Sequence, residues 1–213
     1  EIPMQKSVPA SLRVRAFRTV ETGSFVWIWM GEESKATAEN PPHQEWLDHP
    51  DWAVRVGYLY VKGSYVHLHE NLLDLSHLSF LHARTFGTPE YARTPVEIDC
   101  ENGKLEVWRH VRCELPAIYA RPLGWTGARA LRSSGSRYVS PGLHVNTGIF
   151  RNLDLPEEAQ SPQPMVRVAQ LVTPESPVTT HYWTAQARNF ATNDAEMGDF
   201  MIKAQVEACK EDA

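Results

Sequence analysis

The stretch from Glu70 to His82 reads Glu-Asn-Leu-Leu-Asp-Leu-Ser-His-Leu-Ser-Phe-Leu-His and sets Asn71, Asp74, His77 and His82 into an otherwise apolar run. Its leucines and phenylalanine (Leu72, Leu73, Leu75, Leu78, Phe80, Leu81) are expected to face a core. Burying four polar groups beside them is costly unless each has a partner. Two neutral imidazoles plus a carboxylate from elsewhere form the facial set that holds non-haem Fe(II) and leaves positions open for oxygen. The alternative is a pair of ordinary core or surface histidines hydrogen-bonded to neighbours. At about 100° per residue in an α-helix, Asp74 and His77 lie roughly 60° apart and His77 and His82 roughly 140° apart. A straight helix cannot aim both imidazoles at one ion, so a widened turn or a helix end is predicted between them.

Composition narrows the class. The chain has 213 residues, 42% of them hydrophobic, and a formal net charge of −5. That is room for one large domain or one and a half smaller ones, and it gives no electrostatic footprint for nucleic acid. No apolar run approaches the roughly 20 residues that span a bilayer, and Glu1-Ile2-Pro3-Met4 has no signal-peptide pattern. The default expectation is a soluble cytoplasmic protein without a membrane partner. Cys100, Cys113 and Cys209 are odd in number and scattered, which suggests neither a zinc site nor a disulfide framework.

The remaining pattern is rich in strands. Val14, Phe17 and Val20 precede a Glu21-Thr22-Gly23-Ser24 turn, and the β-forming run Phe25 to Met30 follows it, which predicts a hairpin. Gly31 to Asp51 is polar and carries Pro41, Pro42 and Pro50, as a linker does. Strands are predicted at 52–61 and 64–69 about a Lys62-Gly63 turn, so His67 and His69 share a face there. Further strands are predicted at 96–101 and 104–114 about Asn102-Gly103, and at 136–139, 143–150, 165–173 and 179–187. Pro116 to Gly127 reads as an irregular segment, either a lid over a pocket or a packed loop. A terminal helix opens near Ala195, with Asn193 or Asp194 as its N-cap. The whole is an α+β pattern: an antiparallel sheet with one central and one C-terminal helix.

The spacing Asn-x2-Asp-x2-His-x4-His, complete at Asn71, Asp74, His77 and His82, resembles the iron-binding motif of the Rieske-type non-haem iron oxygenases. The branch it resembles holds the vanillate O-demethylase and dicamba monooxygenase oxygenase components. The resemblance implies that His77 and His82 are iron ligands and that Asn71 and Asp74 are catalytic positions. Asp74 would bridge an iron ligand to the Rieske histidine of a neighbouring subunit. His181-Tyr182-Trp183, Arg188-Asn189-Phe190 and Asp194 to Met197 resemble the family's run into its last helix, whose Glu-Asp pair supplies the third ligand. That pair falls at Glu211-Asp212, which makes Asp212 the expected ligand. Asp194, Glu196 and Asp199 are lesser candidates that otherwise serve as first-turn charges. The family's helix-grip fold agrees with the α+β pattern.

A Rieske [2Fe-2S] cluster needs two Cys and two His, which the family presents as Cys-x-His and Cys-x2-His, and neither pair occurs in this sequence. The cluster module is therefore expected upstream of residue 1, or lost. Residues 7–31 resemble the closing hairpin of the family's Rieske domain. The expected division is a Rieske remnant at 1–31, a linker at 32–51 and a C-terminally shortened catalytic domain at 52–213. A hairpin without its parent sheet would expose an apolar face.

The resemblance implies an oxygenase component that uses Fe(II) and O2 to hydroxylate or O-demethylate a vanillate-like aromatic substrate. Electrons would come through a Rieske cluster from a ferredoxin or a flavin/iron-sulfur reductase, in a homotrimer. Asn146 and Gln170 fall near pocket-lining positions of the family or else face solvent, and Arg188 is either a carboxylate partner or a surface charge. Two other classes stay open: a helix-grip binding domain for small molecules without redox activity, and a zinc hydrolase built on His67, His69 and a carboxylate.

Overall fold

Alternation of buried and exposed side chains builds the main sheet. The strand Leu105–Glu114 buries Val107, Arg109, Val111 and Cys113 and turns the intervening residues outward, the period of a half-buried strand. The computed structural model describes residues 3–4, 6–36 and 41–212. They fall into two units, Glu1–Glu45 and Trp46–Ala213. The division lies inside the expected linker, of which residues 37–40 are outside the described residues.

In the first unit, Arg18–Thr22 (β1) and Phe25–Trp29 (β2) pair antiparallel with Thr22 opposite Phe25. Gly23 and Ser24 have φ of 61° and 64°, the two left-handed positions a tight two-residue hairpin turn requires. Val14 and Phe17 precede the first arm rather than joining it. Val20 and Trp29 are exposed on one face of the hairpin and Val26 and Ile28 on the other.

The second unit is a seven-stranded antiparallel sheet. Its strands are Ala53–Val61 (β3), Glu97–Asp99 (β4), Leu105–Glu114 (β5), Arg129–Ser140 (β6), Leu143–Asn152 (β7), Met165–Ser176 (β8) and Thr179–Arg188 (β9), in the order β3-β9-β8-β7-β6-β5-β4. Three helices accompany it: Tyr65–Leu73 (α1), Ala117–Leu123 (α2) and Ala195–Glu211 (α3). This is the α+β, helix-grip-like arrangement read from the sequence. No described helix is long and apolar enough to cross a membrane.

Three local expectations are corrected. Phe80 and Leu81 do not face a core but are exposed, because the helix ends at Leu73 and its spacing no longer sets their direction. Residues 64–69 are not a strand: Ser64 caps α1, its side chain accepting from the Val66 N–H, and Leu68 packs with Val172, Tyr182 and Cys209. The alternation that suggested a strand is overridden by the cap and by this packing. Residues 117–123 form α2 rather than an irregular lid. Pro116 stands at its N-cap position and Gly124 closes it with φ 68°, so the proline and glycine punctuate a helix. Ile118, Tyr119 and Ala120 are buried, which makes α2 a fixed wall of the core.

Helix α3 is placed by one buried stripe: Gly198, Met201, Gln205, Ala208 and Cys209, the three-and-four spacing of a helix face against a core. Asp194 caps it by accepting from the Met197 N–H at 2.9 Å. A Cβ on Gly57 of β3 would stand 2.5 Å from Val206 Cγ2, so glycine there permits the close approach of strand and helix. Gly57→Ala is expected to overpack this contact and destabilise the chain by about 1–3 kcal/mol, read as a lower urea midpoint at unchanged slope.

Candidate metal centre

The motif begins on α1 with Asn71, but the helix ends before either of its later histidines. Asp74 terminates it in an extended conformation (φ −80°, ψ 96°) and accepts the Ser76 N–H on Oδ1 at 2.7 Å, a side-chain turn that redirects the backbone. His77–Ser79 then form a short 3-10 turn. The predicted break in the helix is therefore present, at Leu73 rather than between the histidines. The His82 carbonyl accepts from the N–H groups of Phe86 and Gly87 at 3.0 and 2.8 Å. A Cβ on Gly87 would lie 1.8 Å from the Leu78 carbonyl oxygen, so glycine is needed for the segment to fold back on the turn.

Asp212 follows α3 and extends its buried stripe, four residues beyond Ala208. Its Oδ1 lies 3.1 Å from His82 Nε2 and 3.8 Å from His77 Nε2. One ligand atom from each of these three residues lies within 4.8 Å of the others. Among the described residues this is the only such grouping of His, Cys, Asp and Glu. Asp212 Oδ1 is buried without a hydrogen-bond partner, an arrangement that calls for a cation. Two imidazoles and one carboxylate are the donors of a facial non-haem iron site, so the residues fit such a metal.

Each histidine has an acid at its outer nitrogen. His82 Nδ1 lies 2.7 Å from Glu211 Oε2, and His77 Nδ1 lies 3.9 Å from Asp74 Oδ2. Burial disfavours a charged His82, but Asp212 and Glu211 outweigh it and raise its pKa above the ordinary value. Burial likewise pushes the Asp74 carboxyl up, and its hydrogen bonds with Ser76 overcome this to hold it below the usual range.

The vanillate O-demethylase oxygenase C-terminal domain matches residues 61–213. The chain belongs to this family. It is 30% identical to the toluene-4-sulfonate monooxygenase system iron-sulfur subunit TsaM1 of Comamonas testosteroni, over 100% of this chain and 63% of that protein. It is 28% identical to a vanillate O-demethylase oxygenase subunit of Pseudomonas sp. (strain ATCC 19151), over 92% of this chain and 61% of that one. The crystal structure of dicamba monooxygenase bound to 3,6-dichlorosalicylic acid superposes with a TM-score of 0.87 at 26% identity, covering 97% of this chain and 60% of that chain. The chain thus spans about three fifths of the length of the curated relatives it matches. The relatives are oxygenase subunits rather than binding modules.

Within this family domain, the cleft beside the three donors encloses about 720 Å³ free of atoms, counting its open mouth, and Asn71, Asn146 and Gln170 line it. Gln170 Nε2 donates to Asn146 Oδ1 at 3.2 Å, and Asn146 Nδ2 donates to Ser136 Oγ at 2.8 Å. Ser136 Oγ in turn donates to the Leu72 carbonyl, satisfying a group the helix end leaves open. Other candidates lie elsewhere. Arg188 donates to the carbonyls of Ala191 and Asp194, Asp199 pairs with Arg55, and Asp194 is the α3 cap. Glu196 sits exposed in the first turn of α3. His67 is exposed and His69 Nε2 meets the Pro141 carbonyl at 3.0 Å, so the zinc cluster is not formed. Sequence reasoning missed Glu211 as a partner of His82 and Arg132 in the cleft wall.

His144 closes this network, its Nε2 meeting Ser136 Oγ. Burial, then the neighbouring His69 and Arg137, lower its pKa from 6.5 to about 3. Above pH 6.5 both folded and unfolded chains hold it neutral, and its full contribution to stability is present. As pH falls from 6.5 toward about 3, the unfolded chain takes up a proton that the folded chain refuses, and stability drops by up to about 1.4 kcal/mol per pH unit. His144→Gln is expected to flatten the pH dependence of the urea midpoint across that window.

Proposed function

We propose that the chain is the catalytic part of an oxygenase component that uses mononuclear Fe(II) and O2 to hydroxylate or O-demethylate an aromatic substrate. The observation that carries this reading is the approach of His77 Nε2, His82 Nε2 and Asp212 Oδ1 to one another, and membership of the oxygenase family supports it. Those three residues would hold the metal, which when bound supplies activation of oxygen with electrons from a Rieske [2Fe-2S] cluster.

The chain's own residues orient and enclose. Glu211 accepts a hydrogen bond from Nδ1 of His82, which leaves its Nε2 lone pair facing inward, whereas Asp74 stands 3.9 Å from Nδ1 of His77 as a neighbouring charge. A hydrogen-bonded outer partner fixes the ring and raises its basicity. Asn146 and Gln170 offer amides to a substrate oxygen, and Phe86 and Tyr119 give the cleft aromatic walls. A methyl ether hydroxylated at its methyl carbon becomes a hemiacetal that releases formaldehyde, which is demethylation.

The same reading takes residues 1–31 as the end of a Rieske domain, with a ferredoxin or reductase as electron donor. A homotrimer in which Asp74 passes electrons between subunits belongs to the same reading. The surface beside the site supports that: Phe80 and Leu81 are exposed at 76% and 45%, and the Asp74 side chain is 53% exposed.

Anaerobic reconstitution followed by metal analysis tests the centre. The wild-type chain is expected to hold about one Fe(II), which His77→Ala, His82→Ala and Asp212→Ala each lose, while Glu211→Gln weakens affinity by roughly 10- to 100-fold. Iron retained by all three ligand variants would remove the reading.

A further inference from the structure

We propose that Arg132 is a positioning residue of the metal centre: from β6 it fixes the carbonyl of Phe86 and, through Phe86, the direction of the His82 imidazole. This assignment rests on the reading of His77, His82 and Asp212 as metal donors and names the group that holds one of them in place.

His82 lies in a turn, so neither a helix nor a strand ladder sets its direction. The residues after it close back on it instead. The His82 carbonyl accepts from the N–H groups of Thr85, Phe86 and Gly87 at 3.0, 3.0 and 2.8 Å. Phe86 also returns its ring to the histidine, the two centroids 5.8 Å apart at 71°, the edge-to-face arrangement that aromatic pairs favour. Whatever fixes Phe86 therefore acts on both the backbone and the ring of His82.

Arg132 lies on the inward face of β6 together with Ala130, Ser134 and Ser136 and is 4% exposed. Its Nη1 donates to the Phe86 carbonyl at 2.5 Å. A hydrogen bond from a charged donor is roughly twice as strong as a neutral one. The guanidinium carbon sits 4.8 Å from the Tyr91 ring centroid and 4.9 Å from that of Tyr119, within the range of a cation over an aromatic face. Tyr119 stacks in turn on the Phe86 ring, 6.2 Å between centroids at 17°. Phe86 is thus held twice over, its carbonyl by Arg132 and its ring by Tyr119, which Arg132 also meets. The strand beneath is paired on both sides, with β5 and β7, and gives this hold a firm base. A planar guanidinium can lie against rings and donate from its edge at once, whereas a lysine ammonium is a point charge without that plane.

The test uses two readouts on Arg132→Met, which keeps an apolar stem and removes the donor. Residue-resolved amide hydrogen exchange of the metal-free chain reads local opening. The Phe86 and Gly87 amides, both bonded to the His82 carbonyl, are expected to exchange roughly tenfold faster than in the wild type, with β8 and β9 amides much less affected. Co(II) then reports the donor geometry: its visible absorption bands are expected to shift and its affinity to fall by about tenfold. Arg132→Lys is expected to fall between wild type and Arg132→Met in both. A residue that only supports the core would speed exchange throughout and leave the Co(II) spectrum alone. Either readout left unchanged in a folded variant overturns the proposal, and the lysine variant decides if the methionine variant does not fold. A wild type that binds no Co(II) overturns the metal reading, and the exchange readout alone then decides whether Arg132 holds His82.

Discussion

A buried carboxylate oxygen without a hydrogen-bond donor is tolerated only where positive charge is close, and Asp212 Oδ1 is such an oxygen, set beside two imidazole nitrogens where a cation would be shared by all three. Much of the second unit serves to bring these three groups together. The stripe on α3 sets the direction of Asp212, and the glycine of β3 lets that helix lie close to the sheet. On the other side, Asp74 stops α1 and the 3-10 turn swings His77 off the helix axis. Gly87 then allows the chain to close back, so that His82 faces the same point.

A second layer makes the first one directional. Glu211 hydrogen-bonds the outer nitrogen of His82 and sets which nitrogen is turned inward, while Asp74 places a negative charge 3.9 Å from the outer nitrogen of His77. The cleft that opens from this centre mixes aromatic walls with amides tied through Ser136 to the end of α1. Those amides therefore have a structural duty as well as a place in the pocket, and a ligand that used them would also feel the helix end. Arg132, buried in that wall, donates to the Phe86 carbonyl.

The parts legible in the sequence were those with local signals. The Asn71-to-His82 spacing marked the motif, strands β3, β5, β7, β8 and β9 showed β-forming patterns near their observed bounds, and Asp194 was readable as a cap. The parts that were not legible depended on distant neighbours. Tyr65 to His69 alternates like a strand and becomes helix because Leu68 packs on β8 and β9 residues. Pro116 and Gly124 looked like loop formers and instead bound a short helix. The early half of β6, Arg129 to Gly135, is too polar to read as a strand, and so Arg132 went unseen. The pairing of Glu211 with His82 and the place of Arg132 in the cleft wall bring together side chains far apart in sequence, and no periodicity encodes them.

The most direct test of the central claim is an anomalous difference map at the iron edge from crystals grown anaerobically with Fe(II). The account predicts one strong peak per chain, within bonding distance of His77 Nε2, His82 Nε2 and an Asp212 carboxylate oxygen. A peak elsewhere, or none at a site whose three side chains are well ordered, would contradict it.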